Sequence, residues 1–152
     1  MAYATAAARQ DLLDAIADAT DQIGVALAAI GAAYEQLDEQ SADRLEEELF
    51  RPVQLAYGRA RRTHAGFAER HGLPGRTFEP AAPGHASQGV KGYLEAAVAA
   101  AGEADVALST LQDSMLPVEV GDPELRAGLA DVRELIGGLR ASTRRFVSVF
   151  GR

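Results

Sequence analysis

The chain has 152 residues and a formal net charge of −7, with 24% charged and 6% aromatic residues. That length suits one domain with a real core, and the Ala- and Leu-rich composition suits a helical protein rather than a disordered one. There is no cysteine, which excludes disulfides and thiolate metal sites. No uncharged apolar run approaches the ~18 residues of a membrane span, and "MAYATAAARQ" lacks the features of a signal peptide. The expected setting is cytoplasmic. Fourteen arginines against a single lysine point to a GC-rich, bacterial coding bias.

Charge runs in blocks: −9 over residues 1–50, +5 over 51–76, −7 over 77–124 and +4 over 125–152. Blocks of this length can neutralise one another between neighbouring helices, so the acidic total need not imply a charged partner.

The first predicted helix covers residues 4–39. Leu13, Ile16, Thr20, Ile23, Leu27, Ile30, Tyr34 and Leu37 follow an unbroken 3-4 spacing. Asp11, Asp14, Asp18 and Asp21 cluster on the opposite face, where a metal would lack a second helix to complete its shell. They are expected to be the wet side. Ala19, Ala26 and Ala33 line one shoulder of the seam, and Ala17, Gly24 and Gly31 the other. Two glycines inside a helix, each costing about 1 kcal/mol against alanine, suggest a steric requirement for close packing or docking.

Ser41 is the expected N-cap of a second helix over 41–71. Its stripe is Leu45, Leu49, Val53, Ala56, Tyr57, Ala60, His64, Phe67 and His71, and Pro52 should kink it. Residues 72–87 carry three Gly and three Pro and read as a loop ending at the possible cap Ser87.

A third helix is expected over 88–116, with Val90, Leu94, Ala97, Ala101, Ala104, Leu108, Leu111 and Met115 inward. Its opening, "SQGVKGYLEAA", resembles over a five-residue stretch, apart from the first position, the H-x-apolar-K-G segment of histidine phosphotransfer domains, which are four-helix bundles. Gln88 stands where the phosphorylated histidine would be. The similarity implies at most that fold without phosphotransfer, and does not establish membership. The fourth helix, 123–150, should start at the cap Asp122 with Pro123 at its first position. Its seam is Leu125, Leu129, Val132, Ile136, Leu139, Thr143, Phe146 and Phe150.

Four such helices in one domain, 1–152, give an all-α expectation: an antiparallel up-down-up-down four-helix bundle with a Pro-kinked second helix. An extended hairpin that dimerises and a bundle with one long crossover are the alternatives. Counting levels from the turns places Ala97, Ala101 and Ala104 at a waist facing Thr20, Ile23, Tyr57, Ala60, Ile136 and Leu139. Larger side chains fill that waist, or a pocket forms there. The same counting sets His64 beside Thr143, near Asp14 and Glu95, while His71 should be solvated.

No Glu-x-x-His occurs, and His64, His71 and His85 contain no i,i+4 pair, so neither a metal nor a cofactor is expected. No nucleophile constellation or phosphate-cradling loop is present in the sequence. Arg126, Arg133, Arg140 and Arg144 form a stripe on the fourth helix, with Arg59, Arg61, Arg62 and Arg70 on the second. Pairs between helices explain it better than nucleic acid does, given the acidic total. The expected function is a non-enzymatic interaction or assembly module, self-associating through helix faces and free of membrane. The alternative is a bundle binding a small apolar ligand at the waist, oriented by His64, Tyr57, Thr143 and Thr20 against Ala97 and Ala101. An enzyme using His64 as base ranks below both.

Overall fold

A computed structural model describes residues 2–83 and 89–150. All secondary structure among them is helical: α1 (Ala2–Tyr34), α2 (Glu39–Leu45), a π-helical turn (Glu46–Phe50), α3 (Arg51–Arg70), α4 (Gly89–Asp113), α5 (Leu116–Glu119), α6 (Pro123–Gly137) and α7 (Leu139–Phe150). His85, Ser87 and Gln88 lie outside the described residues.

The ends of these helices follow local chemistry. After Tyr34 the chain tightens, with Leu37 N–H donating to the Tyr34 carbonyl at 3.2 Å, so α1 stops short of residue 39. Asp38, not Ser41, is the next cap: its carboxylate accepts from Ser41 N–H at 2.8 Å. Helical backbone then continues to Arg70, interrupted only in its hydrogen-bond ladder. Pro52 has no N–H and would crowd the Glu48 carbonyl; just before it the ladder widens, and Arg51 N–H reaches back five residues to Glu46. The kink expected at Pro52 thus appears as a π turn. Gly72, at φ +66°, ends α3, with Gly72 N–H bonding Glu69 and Leu73 N–H bonding Ala68.

Asp122 caps α6 as expected, accepting from Leu125 N–H at 2.8 Å. The fourth predicted helix is broken in two at Gly137-Gly138. Nothing crowds either glycine, so two poor helix formers in succession account for the break. The expected loop after α4 contains a helical turn, α5, entered through Met115 in the left-handed region.

The packing directions correct the expected topology. α1 packs against α3 and, most broadly, α4; α3 packs on α6, and α4 touches α6 and α7. Gly24 faces Tyr57 and Gly31 faces Phe50, so α1 and the π-α3 rod run antiparallel. Arg70 pairs with Asp122 and Arg59 with Asp131, so α3 and α6 are also antiparallel. Arg9 Nε donates to the Val120 carbonyl at 3.0 Å. The start of α1, the end of α3 and the end of α4 therefore share one end of the molecule. An up-down-up-down order would instead put the end of α3 beside the start of α4. The up-down-up-down assignment is corrected to an order with one long crossover between α3 and α4. Eighteen residues at ~3.3 Å each easily span the ~37 Å of α4. Residues 72–83 begin that climb. Arg76 pairs with Asp21, Phe78 packs on His64, and Pro80 and Ala81 lie by Leu27 and Ala28.

Most of the predicted seam residues form one apolar cluster, including Leu13, Ile16, Ile23, Ile30, Leu49, Phe67, Leu94, Ala97, Ala101, Leu129 and Phe146. Tyr34, Met115 and Phe150, expected inward at or near helix ends, are instead exposed. α1 over Ala4–Tyr34 is long and apolar enough to cross a membrane by length and composition, contrary to the expectation of no such segment; half of its apolar window is buried against the other helices.

Candidate functional site

Helix α3 and the strap formed by residues 72–83 enclose the least ordinary chemistry of the molecule. His64, on the inward stripe of α3, is only 3% exposed, and its Nδ1 has no hydrogen-bond partner. Phe78, the only aromatic residue of the strap, meets its ring edge-on at 5.4 Å. Burial, helped by the positive Arg76, lowers the imidazole pKa from its usual value and favours the neutral ring, against the opposing pull of Asp14. His64 and Thr143, expected side by side, are far apart. Arg70 sits at Asp122 and Arg44 at Phe146, so Thr143 belongs near the α2 end, roughly 25 Å along the rods from His64. The corrected direction of the last two helices is the cause.

Arg76 anchors the strap. It pairs with Asp21 at 2.8 Å and lies over the Phe78 ring at 4.8 Å. Asp21, one of the four aspartates, is thus engaged, while Asp11, Asp14 and Asp18 are exposed. Behind Arg76 opens a cleft of about 440 Å³ lined by Arg61, Arg62, Arg76, Thr77 and Phe78 among others. A second groove, on the side of Tyr57, Leu27 and Pro80, shares Arg61 and Phe78 with it.

The other predicted site residues are dispersed. Tyr57 is half-buried against Gly24, where an added Cβ would come within 3.2 Å of the ring, and Arg61 covers its face at 5.4 Å. Thr20 is fully buried and donates to the Ile16 carbonyl at 2.7 Å. Ala97 and Ala101 are buried in the same apolar cluster as Ala26, Ala29 and Ile30. Tyr57 and His64 are brought together through Phe78; Thr143, Ala97 and Ala101 are not part of that arrangement. Sequence reasoning missed Phe78 and Arg76. An aromatic residue in an otherwise Gly- and Pro-rich loop was the available signal.

His71 is not simply solvated. Its Nε2 lies 3.0 Å from Asp122 and its ring tilts against Phe67 at 4.4 Å. Asp122 also takes two hydrogen bonds from Arg70, at 2.8 and 2.9 Å. Partial burial pushes this carboxyl up, but Arg70, the Leu125 N–H and His71 together outweigh it and hold it far below the usual carboxylate range. The cluster fastens the end of α3 to the start of α6. Arg133 similarly bonds Asp105 and Gln112, and Arg126 the Pro117 carbonyl, absorbing half of the predicted arginine stripe into the fold. Among the described residues, no three His, Asp or Glu side chains gather as a metal-binding group.

The outer face of α4 is a different kind of surface. Ala99, Gly102 and Val106 are exposed, Val106 to 65%, and Val98 is half-buried beside them. Together with Glu103 and Arg140 they line a shallow apolar groove. No protein-family model, curated protein or solved structure matches the chain.

Proposed function

We propose that the protein is a non-enzymatic assembly module: a four-rod antiparallel helical bundle, its second and fourth rods segmented, that pairs with a second copy of itself through the outer face of α4. The observation that carries this reading is the self-complementary pattern on that face. At ~100° per residue, Lys91, Val98, Gly102, Val106 and Asp113 fall within one arc. Lys91 and Asp113 are equally far from Gly102 along the helix, as are Val98 and Val106.

Two α4 helices crossing antiparallel at Gly102 therefore set Lys91 against Asp113 and Val98 against Val106 twice over, as a two-fold interface requires. Gly102 has nothing within 4 Å of an added Cβ, so the fold of a single copy does not need glycine there. A close helix crossing does. Arg140, on the rim, has no carboxylate within ion-pair distance among the described residues. The assembly reading also suits the interior, where His64 is packed against a ring and His71 and Asp122 are held in an ion-pair cluster.

A single helix crossing buries less than the ~800 Å² per partner of tight complexes, so the expected dimer is micromolar and reversible. Sedimentation equilibrium tests it. The wild-type chain dimerises with rising concentration, and Val106→Glu stays monomeric with unchanged helicity. A monomeric wild type, or a Val106→Glu dimer of equal affinity, overturns the proposal.

A further inference from the structure

We propose that the cleft between α3 and the strap binds a small anionic molecule with an apolar body, its charged head lying among Arg61, Arg62 and Arg76. The argument starts from charge. Elsewhere on this acidic chain the arginines are largely committed: Arg59, Arg70 and Arg133 to carboxylates, Arg9 and Arg126 to backbone carbonyls. Three guanidinium groups line this cleft, and only that of Arg76 is in an ion pair, with Asp21; Arg62 also borders a neighbouring groove with Asp131 and Glu134. Arg61 is turned over the Tyr57 ring, and Arg62 has no carboxylate within ion-pair distance among the described residues. Guanidinium groups lining one cleft with a hydroxyl, Thr77, are the donors that a phosphate or carboxylate takes up in bidentate fashion.

The apolar half of the ligand follows from the adjoining groove. Arg61 and Phe78 line both spaces, so a molecule whose head rests on the arginines can extend across Phe78 toward Tyr57, Leu27 and Pro80. This placement differs from the waist expected from sequence: it depends on the crossover, which brings Arg76, Thr77 and Phe78 to α3. It is also independent of the α4 face, so it stands or falls separately from dimerisation.

Calorimetric titration of the full chain with decyl phosphate, decanoate, decanol and inorganic phosphate tests the inference. One site per chain is expected for decyl phosphate or decanoate, whichever head fits better. Decanol should bind at least ten-fold more weakly, and raised salt should weaken the charged ligand. Arg62→Gln, an exposed change that disturbs no ion pair, should lower affinity about ten-fold, whereas Arg144→Gln on the last helix should leave it alone. Tight inorganic phosphate binding without a contribution from the chain of decyl phosphate would remove the apolar half. Decanol binding as tightly as decyl phosphate, no binding of either charged ligand, or indifference to Arg62→Gln would overturn the proposal.

Discussion

Thr63 of α3 occupies the space that Gly128 of α6 leaves empty. A Cβ built on Gly128 would overlap the Thr63 hydroxyl and come within 2.8 Å of its methyl carbon. Thr63 cannot easily swing away, because it is β-branched and donates to the Arg59 carbonyl at 2.7 Å. Gly128→Ala should therefore destabilise the fold by about 1–3 kcal/mol through overpacking, despite the better helix propensity of alanine. Adding Thr63→Ala removes the hydroxyl and methyl, leaving only the residue-63 Cβ at 3.0 Å, and should recover part of the loss. Urea denaturation of the two single variants and the double measures the coupling, and additive losses would contradict the contact.

The two glycines at the α6–α7 junction behave oppositely. Gly137 and Gly138 are exposed, have no heavy atom near an added Cβ, and Gly138 has a right-handed φ of −91°. Gly137→Ala should stabilise the protein by about 0.5–1 kcal/mol by lowering the entropy of the unfolded chain. Thermal melts compare it with Gly128→Ala: one rises and the other falls.

Acid should weaken the protein in two steps. His64 has a folded pKa below its unfolded value near 6.5, so the unfolded chain binds the proton first as pH falls. Its contribution is fully present above that value and is lost as pH drops toward the folded pKa. The urea midpoint should decline from pH 7 to 5, and His64→Leu should flatten this slope. A slope unchanged in His64→Leu would contradict the buried, neutral ring.

The second step belongs to Asp122. Its carboxyl is depressed, so its contribution is present above the unfolded value near 3.8 and disappears as pH falls below it toward the folded pKa. Asp122→Ala also loses the cap on Leu125 N–H and both Arg70 bonds, and should cost about 1–3 kcal/mol at pH 7. Asp122→Asn, which keeps the cap oxygen, should cost less. The same denaturation series at pH 7 and pH 3 separates them, the gap to wild type narrowing in acid.

Much of this architecture was legible from periodicity. The 3-4 spacing marked Leu13, Ile16, Thr20, Ile23 and Ile30, and likewise Leu125, Leu129, Val132 and Ile136, all of which are buried. Local chemistry also marked Asp122 and the Pro52 irregularity. Direction was not legible, because a Gly- and Pro-rich loop can turn back or cross over with equal ease. The choice rests on non-local pairs such as Arg70–Asp122 and Arg9–Val120, which leave no spacing in the chain. Placing His64 beside Thr143 failed for that reason alone. Phe78 was overlooked because loop aromatics carry no periodic signal, though burial of its ring shapes both strap clefts.

The chain has no cysteine, so a single one placed at Gly102 reports directly on self-association through α4. A two-fold crossing at that residue brings the two copies within the ~7 Å Cα separation that a disulfide spans. Under mild oxidation at micromolar concentration, Gly102→Cys should form a covalent dimer rapidly. Leu55→Cys, also exposed but on α3, should form it slowly. Equal rates at the two positions, or no dimer at Gly102→Cys, would contradict the α4 interface.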